Sequence, residues 1–362
     1  MPYDTGASRD LLPTGRAVTG ADRRAVARWL FALCAMIFVM VVLGGLTRLT
    51  GSGLSIMEWA PVAGVLPPLD HAQWEQLFAL YKQTAQYRLV NQGFGLAGFQ
   101  RIFWLEWVHR LWGRLMGVAV VVPWLWFWAK GRLPPGLGWR LIVFFLLGAL
   151  QGAVGWFMVA SGFFPDATAV APTRLALHLG LALVLYAAIL WTGLSVRRPI
   201  PAGTEAPRGL RALVGGFAVL LALTIVAGSF VAGTHAGFEY NTFPLMGRHL
   251  IPRAYGQLHP FWRNLIANIA AVQFDHRLLA TLTAALGLAA ALRGLAAPRE
   301  LRAPVLAMAG LVVLQYALGV ATLLYVVPVP LAVTHQANAV LTLTAALVAL
   351  HALRRPAPGP ST

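Results

Sequence analysis

Eight long apolar stretches dominate this 362-residue sequence, and each is long enough to cross a lipid bilayer as a helix. A spanning helix needs roughly 20 apolar residues, because every backbone polar group inside the hydrocarbon must be hydrogen-bonded within the segment. The sequence therefore predicts an all-α polytopic membrane protein with eight transmembrane helices. The predicted spans are Val26–Leu46, Ile102–Trp128, Leu141–Ala160, Leu175–Leu194, Leu210–Val231, Leu265–Leu288, Val305–Val326 and Leu331–Leu353.

The composition excludes a soluble protein and accounts for the strong positive charge. Charged residues make up 11% of the chain, whereas a soluble domain carries about 25%. The formal net charge is +16, but 17 of the 28 lysines and arginines fall in tails and loops on one side of the eight spans. The positive-inside rule makes that side cytoplasmic. We therefore expect a multi-pass protein of the cell inner membrane, with both termini cytoplasmic, and no nucleic acid as a partner.

The chain has the pattern of a tandem repeat of four spans. The string His-Arg-Leu-Trp-Gly-Arg-Leu from residue 109 is related to His-Arg-Leu-Leu-Ala-Thr-Leu from residue 276, and Leu150-Gln151 recurs as Leu314-Gln315. An even number of spans in each half makes the repeats parallel, so we expect two pseudo-symmetric four-helix bundles. The predicted segments are a cytoplasmic tail (1–25), an N-terminal bundle (26–195), a cytoplasmic linker (196–209), a C-terminal bundle (210–353) and a second cytoplasmic tail (354–362).

Two long loops are predicted on the outer side, at residues 47–101 and 232–264. Both are too long to be simple turns, so we expect them to cap the outer face. The first loop holds Trp59, Trp74, Tyr81 and Tyr87 among polar residues. This mixture favours a helical segment lying at the membrane interface rather than a ninth span.

Four histidines lie at repeat-equivalent places within the predicted spans. His109 and His178 belong to the second and fourth spans, and His276 and His335 belong to the sixth and eighth. A single imidazole in a membrane is often a hydrogen-bonded packing residue, but four matched ones are costly and indicate ligation. Haem iron takes axial histidines from facing helices. The sequence therefore predicts two bis-histidine metal sites, one in each half.

The two halves differ one helical turn before the first histidine of each pair. Glu106 precedes His109 by three residues, whereas the matching residue before His276 is Gln273. A carboxyl group inside a membrane is expensive and usually functional, so we expect one half to react and the other to hold a permanent cofactor. An ion pair of Glu106 with Arg110 or with Arg114 is the alternative, and it does not exclude catalysis.

Two arginines, Arg110 and Arg277, directly follow the first histidine of each pair. They could extend to the interface, or they could bind a haem propionate in a bidentate manner. Cys34 is the single cysteine, so no intramolecular disulfide and no cysteine cluster can form. Solvated or interfacial positions are expected for the five other histidines, which are His71, His235, His249, His259 and His351.

Several motifs together resemble the haem A synthase family, of the mitochondrial and alphaproteobacterial type. The similarity extends from about residue 30 to residue 350. The motifs that carry it are Gly44-Gly45-Leu46-Thr47-Arg48-Leu49-Thr50-Gly51-Ser52-Gly53-Leu54-Ser55, Tyr81-Lys82, Glu106-x-x-His109-Arg110, Ala232-Gly233-Thr234-His235-Ala236-Gly237, Asn241-Thr242-Phe243-Pro244-Leu245-Met246 and Thr334-His335-Gln336-Ala337-Asn338. Many bacterial members also carry a cysteine pair in the first outer loop, which this chain lacks.

The resemblance implies an oxidoreductase that converts the C8 methyl of haem O to a formyl group, giving haem A for terminal oxidases. It implies haem b as cofactor on His276 and His335 with Arg277, and substrate haem O on His109 and His178 with Arg110. The essential acid of the family corresponds to Glu106. The resemblance also implies two transient partners, namely haem O synthase, which is a farnesyltransferase, and an electron donor. It further implies a homo-oligomer in the lipid bilayer.

Three other classes of protein are considered. A di-haem b-type electron-transfer protein, linked to quinone, explains four histidines but not the difference between Glu106 and Gln273. A transporter predicts broken helices at matched positions, and Pro123 in the second span has no counterpart in the sixth. A structural assembly factor predicts that the Glu106→Gln variant keeps full activity.

Overall fold

The computed structural model describes residues 17–61, 63–197 and 206–354. The predicted N-terminal tail, the linker and the C-terminal tail therefore lie largely outside the described residues. Within the described part the chain is helical and has no β-strand, and eight of its helices are long and apolar enough to cross a membrane. The predicted eight-span, all-α class is confirmed.

The spans are numbered one to eight in chain order. Short α-helices at His71–Tyr81, Ala85–Leu89 and Asn264–Ala267 lie in the outer loops. The spans are Gly20–Leu49, Leu96–Ala129, Leu137–Ala160, Pro172–Arg197, Leu210–Gly233, Ile269–Gly294, Arg299–Leu324 and Val329–Ala352.

Several span boundaries differ from the predicted ones for reasons visible in the local structure. Span one begins six residues early because Thr19 and Asp22 form a capping box, in which each side chain accepts the backbone N–H of the other. Span six begins at Ile269, not at Leu265 as predicted. The chain is extended at Asn268, and the Asn268 side chain accepts the N–H groups of Ala270 and Ala271 at 2.9 and 3.2 Å.

Helix contacts follow the two halves of the sequence. Spans one to four contact one another in a ring, and spans five to eight do the same. The two groups meet where spans one and four pack against spans five and eight, and one continuous apolar core runs through both groups. The contacts support the two predicted four-helix groups, and the pseudo-symmetry between them stays a prediction.

The first outer loop forms the predicted helical segment and packs on the outer end of span two. That span starts at Leu96, so its first turns extend beyond the predicted boundary at Ile102. Tyr81 of the loop is fully buried against Phe99, with ring centroids 5.4 Å apart. Its hydroxyl donates to Gln86 at 3.0 Å, and burial raises the pKa of Tyr81. The loop is therefore a folded cap with its own small core.

Candidate functional site

The first histidine of each predicted pair packs against a glycine of the preceding span. A Cβ atom placed on Gly44 of span one would lie 3.2 Å from Nε2 of His109. The equivalent atom on Gly228 of span five would lie 2.9 Å from Cε1 of His276. Both distances are tighter than ordinary van der Waals contacts, so a side chain at either glycine would force the imidazole to shift. Each half thus packs its first histidine closely against a glycine.

The second histidine of each pair has a glycine neighbour as well. A Cβ atom on Gly155 of span three would lie 2.9 Å from Cε1 of His178, and one on Gly319 of span seven would lie 2.9 Å from Cε1 of His335. All four imidazoles therefore point at a neighbouring helix of their own group of four and not at lipid. The same kind of imidazole–glycine contact therefore occurs four times, twice in each half.

Two glutamines orient the second histidines. The Nε2 atom of Gln151 lies 3.1 Å from Nδ1 of His178 and donates to the backbone carbonyl of His178 at 2.9 Å. The Nε2 atom of Gln315 lies 3.2 Å from Nδ1 of His335. Each amide also lies 3.4 Å from the other ring nitrogen, Nε2, so these contacts hold the imidazole in place without selecting the nitrogen that would face a metal.

His276 is oriented by the backbone of span five. Its Nδ1 atom lies 3.0 Å from the carbonyl oxygen of Thr224, which leaves Nε2 as the nitrogen able to face a metal. Asp275, the sequence neighbour, accepts a hydrogen bond from Tyr255 at 3.0 Å. This agrees with the interpretation of Asp275 as a polar neighbour.

The donor set fits a porphyrin iron better than a bare metal ion. His109 and His178 are close enough for their charges to interact, and so are His276 and His335. All four histidines are half-buried. Across the described residues, no group of three or more histidine, cysteine or acidic side chains could hold a metal ion. Two imidazoles suffice for haem, since the porphyrin supplies the other iron ligands.

Glu106 is a buried anchor for the first outer loop. One carboxylate oxygen accepts the backbone N–H of Ser55 at 2.8 Å, its hydroxyl at 2.7 Å and the N–H of Ile56 at 3.0 Å. The other oxygen accepts Nη2 of Arg110 at 2.6 Å and Nε at 3.1 Å. The ion pair with Arg110 considered from the sequence is therefore present, and it is one part of a five-bond network. Arg114 instead donates to the carbonyls of Ala60 and Pro61.

Gln273 anchors the second outer loop with the opposite polarity. Its Nε2 atom donates to the carbonyls of Ala236 and Glu239, both at 2.6 Å, and its oxygen accepts Nη2 of Arg277 at 2.8 Å. The first loop thus offers N–H and hydroxyl donors where the second offers carbonyl acceptors. A carboxylate suits the first set and an amide suits the second, which gives a direct physical reason for the Glu106/Gln273 difference.

Both arginines of the predicted sites hold loop backbone. Arg110 donates to the carbonyls of Ile56 and Glu58, each at 2.7 Å. Arg277 donates to the carbonyl of Tyr240 at 2.7 Å and to that of Thr242 at 2.9 Å. These contacts place each arginine between its histidine-bearing helix and the loop above it. Propionate binding by the two arginines stays a prediction.

The other histidines are not all solvated. His71 is exposed and lies 3.3 Å from Glu75, as an interfacial position implies. His351 is buried, and its Nε2 atom contacts the Ser195 hydroxyl at 3.2 Å and also contacts Arg354, so the solvated or interfacial position predicted for it is wrong. His235 is exposed in the second outer loop, as predicted, and partial desolvation of its ring together with the nearby Arg48 guanidinium lowers its pKa.

Some residues of the site were not identified from the sequence. Gly155 and Gly319 each follow a glutamine by four residues, so Gln-x-x-x-Gly occurs at the same place in spans three and seven. That repeated spacing is a signal that could have found them. Thr224 acts through its backbone carbonyl, and Ser55 acts through its backbone N–H as well as its hydroxyl; the sequence does not reveal these backbone contacts.

The fold and the site together define a class of protein, namely polytopic membrane proteins with paired imidazoles in two groups of four helices. The chain belongs to the cytochrome oxidase assembly protein family, COX15-CtaA, whose family model matches residues 27–347. This confirms the family recognised from the sequence motifs.

Similar proteins carry the name heme A synthase. One from Granulibacter bethesdensis is 58% identical over 333 residues, which is 92% of this chain and 88% of the relative. Heme A synthase 2 of Acidiphilium cryptum is 47% identical over 94% of this chain and 95% of its own length. Heme A synthase of Nitrosospira multiformis is 47% identical over 92% of this chain and 95% of its own length.

Proposed function

We propose that the chain is a haem A synthase, an oxidoreductase that converts the C8 methyl of haem O to a formyl group. The observation that carries this proposal is the 58% identity to a protein named heme A synthase across 92% of the chain. The matched imidazole–glycine contacts support it, because a synthase of this kind must hold a substrate porphyrin and a resident one.

The C-terminal half is proposed to hold the resident haem b, on His276 and His335. In this half the side-chain oxygen of Gln315 accepts Nδ2 of Asn338 at 2.8 Å, so the orienting group is itself fixed. In the N-terminal half the corresponding oxygen, on Gln151, is buried and accepts no hydrogen bond from the described residues. An orienting glutamine with its oxygen bonded suits a permanent cofactor. A less constrained glutamine suits a substrate that is exchanged.

The N-terminal half is proposed to bind substrate haem O on His109 and His178. When bound, haem b would supply the transfer of electrons to or from the substrate. Arg110 and Glu106 hold residues 55–58 of the outer loop at the outer end of the helix that bears His109. The proposed catalytic contribution of Glu106 is therefore to keep this cap closed and to limit the access of water to the substrate, because both of its oxygens already accept hydrogen bonds.

The location and the partners follow from the same proposal. The lysine and arginine bias places both termini in the cytoplasm, below a cell inner membrane. Haem O is proposed to come from a membrane-bound haem O synthase, and a transient electron donor or acceptor completes the redox balance. A homo-oligomer is compatible with the exposed apolar surfaces of the spans.

A second candidate function is di-haem electron transfer. The observation that favours it is the near-identical construction of the two imidazole–glycine pairs. Pigment analysis separates the two functions, since two stable b-type haems indicate electron transfer. One haem b with substoichiometric haem O or haem A indicates a synthase.

Complementation tests the proposed function directly. We expect the wild-type chain to restore haem A to a strain that makes haem O but not haem A, with pigments extracted and separated by chromatography. The strain with empty vector controls for background. If the expressed, membrane-inserted chain yields no formyl haem, the assignment is wrong.

The glycine contacts give a second test with a selective outcome. We expect Gly319→Ala to lower the haem b content of the purified protein by about tenfold, because the added Cβ would lie 2.9 Å from the imidazole of His335. Gly155→Ala is expected to leave haem b in place and to reduce binding of added haem O. Haem-to-protein ratios from absorbance spectra give both values.

Gly310→Ala is the matched control for both glycine variants. Gly310 also lies in span seven, but a Cβ atom there would meet nothing within 4 Å. Its haem content should equal that of the wild type. An equal loss in all three variants would show that the effect comes from the helix and not from the imidazole contact.

A further inference from the structure

The contact between spans two and three, here called the N-terminal wall, differs from the contact between spans six and seven, here called the C-terminal wall. In each of spans two and three, 6% of the residues in the most apolar 18-residue stretch are buried. In each of spans six and seven, the corresponding share is 22%. The helices correspond in sequence, so the difference in burial reflects how closely neighbouring parts of the chain cover them.

The C-terminal wall is closed by two side chains of span seven. The hydroxyl of Tyr316 lies 3.0 Å from the hydroxyl of Thr281 in span six, so the two helices are hydrogen-bonded. One turn away, a methyl carbon of Val312 lies 2.9 Å from where a Cβ atom of Gly287 would be. Span seven therefore sits directly on the backbone of span six.

The N-terminal wall has glycines at the positions of both closing side chains. The shared Leu-Gln pair aligns Gly148 with Val312 and Gly152 with Tyr316. A Cβ atom on either glycine would meet nothing within 4 Å, so both face open space. Arg114, which corresponds to Thr281, is drawn up to the outer loop, where it donates to the carbonyl of Ala60 at 2.6 Å. No bridge corresponding to the Tyr316–Thr281 hydrogen bond can form on this side.

The two glycines share one face of span three with Gly155, since the three recur at helical spacing. Gly155 contacts His178, and Gln151 between Gly148 and Gly155 orients that imidazole. The buried oxygen of Gln151 accepts no hydrogen bond from the described residues, although its counterpart in the C-terminal half is bonded to Asn338. This acceptor is therefore available to a donor from outside the protein, such as water or a bound ligand.

The outer end of the space is covered by aromatic rings. Trp156 of span three stacks on Trp59 of the first outer loop, with centroids 6.1 Å apart and planes 12° apart. The guanidinium of Arg110 lies 5.6 Å from the Trp156 ring. The space is therefore roofed on the outer side and faces the hydrocarbon of the bilayer laterally.

We propose that substrate haem enters and product haem leaves the N-terminal half sideways, through the space between spans two and three at Gly148 and Gly152. This inference rests on the proposed function, since it assigns the N-terminal half to the exchanged porphyrin. A prenylated porphyrin is largely apolar and dissolves in lipid, so a lateral route avoids transfer through water. The closed wall of the C-terminal half retains the resident haem for the same reason.

Filling the space tests the route. The double variant Gly148→Val/Gly152→Tyr introduces the side chains that close the other half. We expect uptake of haem O from lipid nanodiscs, followed by absorbance, to slow by at least about tenfold, as expected when a pathway is sterically blocked. Haem b content should stay at the wild-type level, which also shows that the variant is folded. Uptake at the wild-type rate would overturn the proposal.

Three further variants keep the test decisive if the double variant does not fold. Gly152→Ala should take up haem O at the wild-type rate, whereas Gly152→Leu should be slower, because the rate must fall with side-chain volume. Gly310→Val in span seven adds the same bulk away from the space and should change nothing. A rate that does not depend on side-chain volume at residue 152 contradicts the route.

The uptake measurement does not depend on turnover. A wild-type chain that takes up haem O through this space but makes no haem A would refute the proposed function and leave the route intact. A wild-type chain that makes haem A while the filled variant exchanges haem normally would refute the route alone.

Discussion

Purified His276→Ala and His335→Ala proteins are expected to lose haem b, whereas His109→Ala is expected to keep haem b and make no haem A. The reason is that each alanine removes one of two imidazoles proposed to hold a single iron. Loss of an orienting group alone costs about 10–100-fold in metal affinity, and loss of a ligand costs at least as much. Absorbance spectra and extracted pigments measure both outcomes.

His71→Ala is the control for these histidine variants. His71 is an exposed outer-loop residue, so its removal should change neither haem content nor product. If His109→Ala loses the resident haem and His276→Ala retains it, the roles of the two halves are exchanged. If every histidine variant retains haem b, the imidazole pairs are not its ligands.

The Glu106→Gln variant is expected to release the first outer loop and to lose haem A formation. Whichever way the amide points, its NH₂ group meets donors, either Arg110 or the N–H groups of Ser55 and Ile56. Each buried group left unpaired costs about 1–3 kcal/mol. Amide hydrogen exchange over residues 50–60 should rise, and pigment analysis should show haem O in place of haem A.

The reciprocal variant places the same conflict in the other half. Gln273→Glu brings a carboxylate oxygen against the carbonyls of Ala236 and Glu239, so hydrogen exchange should rise in the second outer loop and not in the first. Glu58→Gln, on an exposed side chain close to Glu106 in the first loop, controls for the chemical change itself. An inactive Glu106→Gln protein with a fully protected first loop would show that Glu106 acts directly in the chemistry.

The features that could be predicted from the sequence are those determined by the lipid environment of the chain. Apolar length determines a spanning helix, so all eight spans could be predicted, with errors at ends that depend on capping groups such as Asn268. The high cost of an imidazole in hydrocarbon also made His109, His178, His276 and His335 conspicuous. The structure directs all four toward neighbouring helices, and their role as ligands stays a prediction.

The features that could not be predicted depend on contacts between distant parts of the chain. Glu106 and Ser55 are 51 residues apart, and nothing in either segment indicates that the loop presents donors to the carboxylate. The difference between Glu106 and Gln273 was interpreted as a sign of chemistry. The structure adds a second reason, since the backbone groups facing the two side chains have opposite polarity.

The junction between the two halves lies next to the proposed haem sites. The side chain of Gln336, which follows His335, donates to the carbonyl of Val41 at 2.7 Å and packs on Gly45, beside the Gly44 that contacts His109. Tyr186 and Thr344 join the halves deeper in the membrane, with their hydroxyls 2.6 Å apart. A rocking motion of one half against the other would break these bonds and shift the two proposed haem sites relative to each other. These contacts therefore favour a fixed separation between the two proposed haems, unlike the moving halves of carriers that work by alternating access.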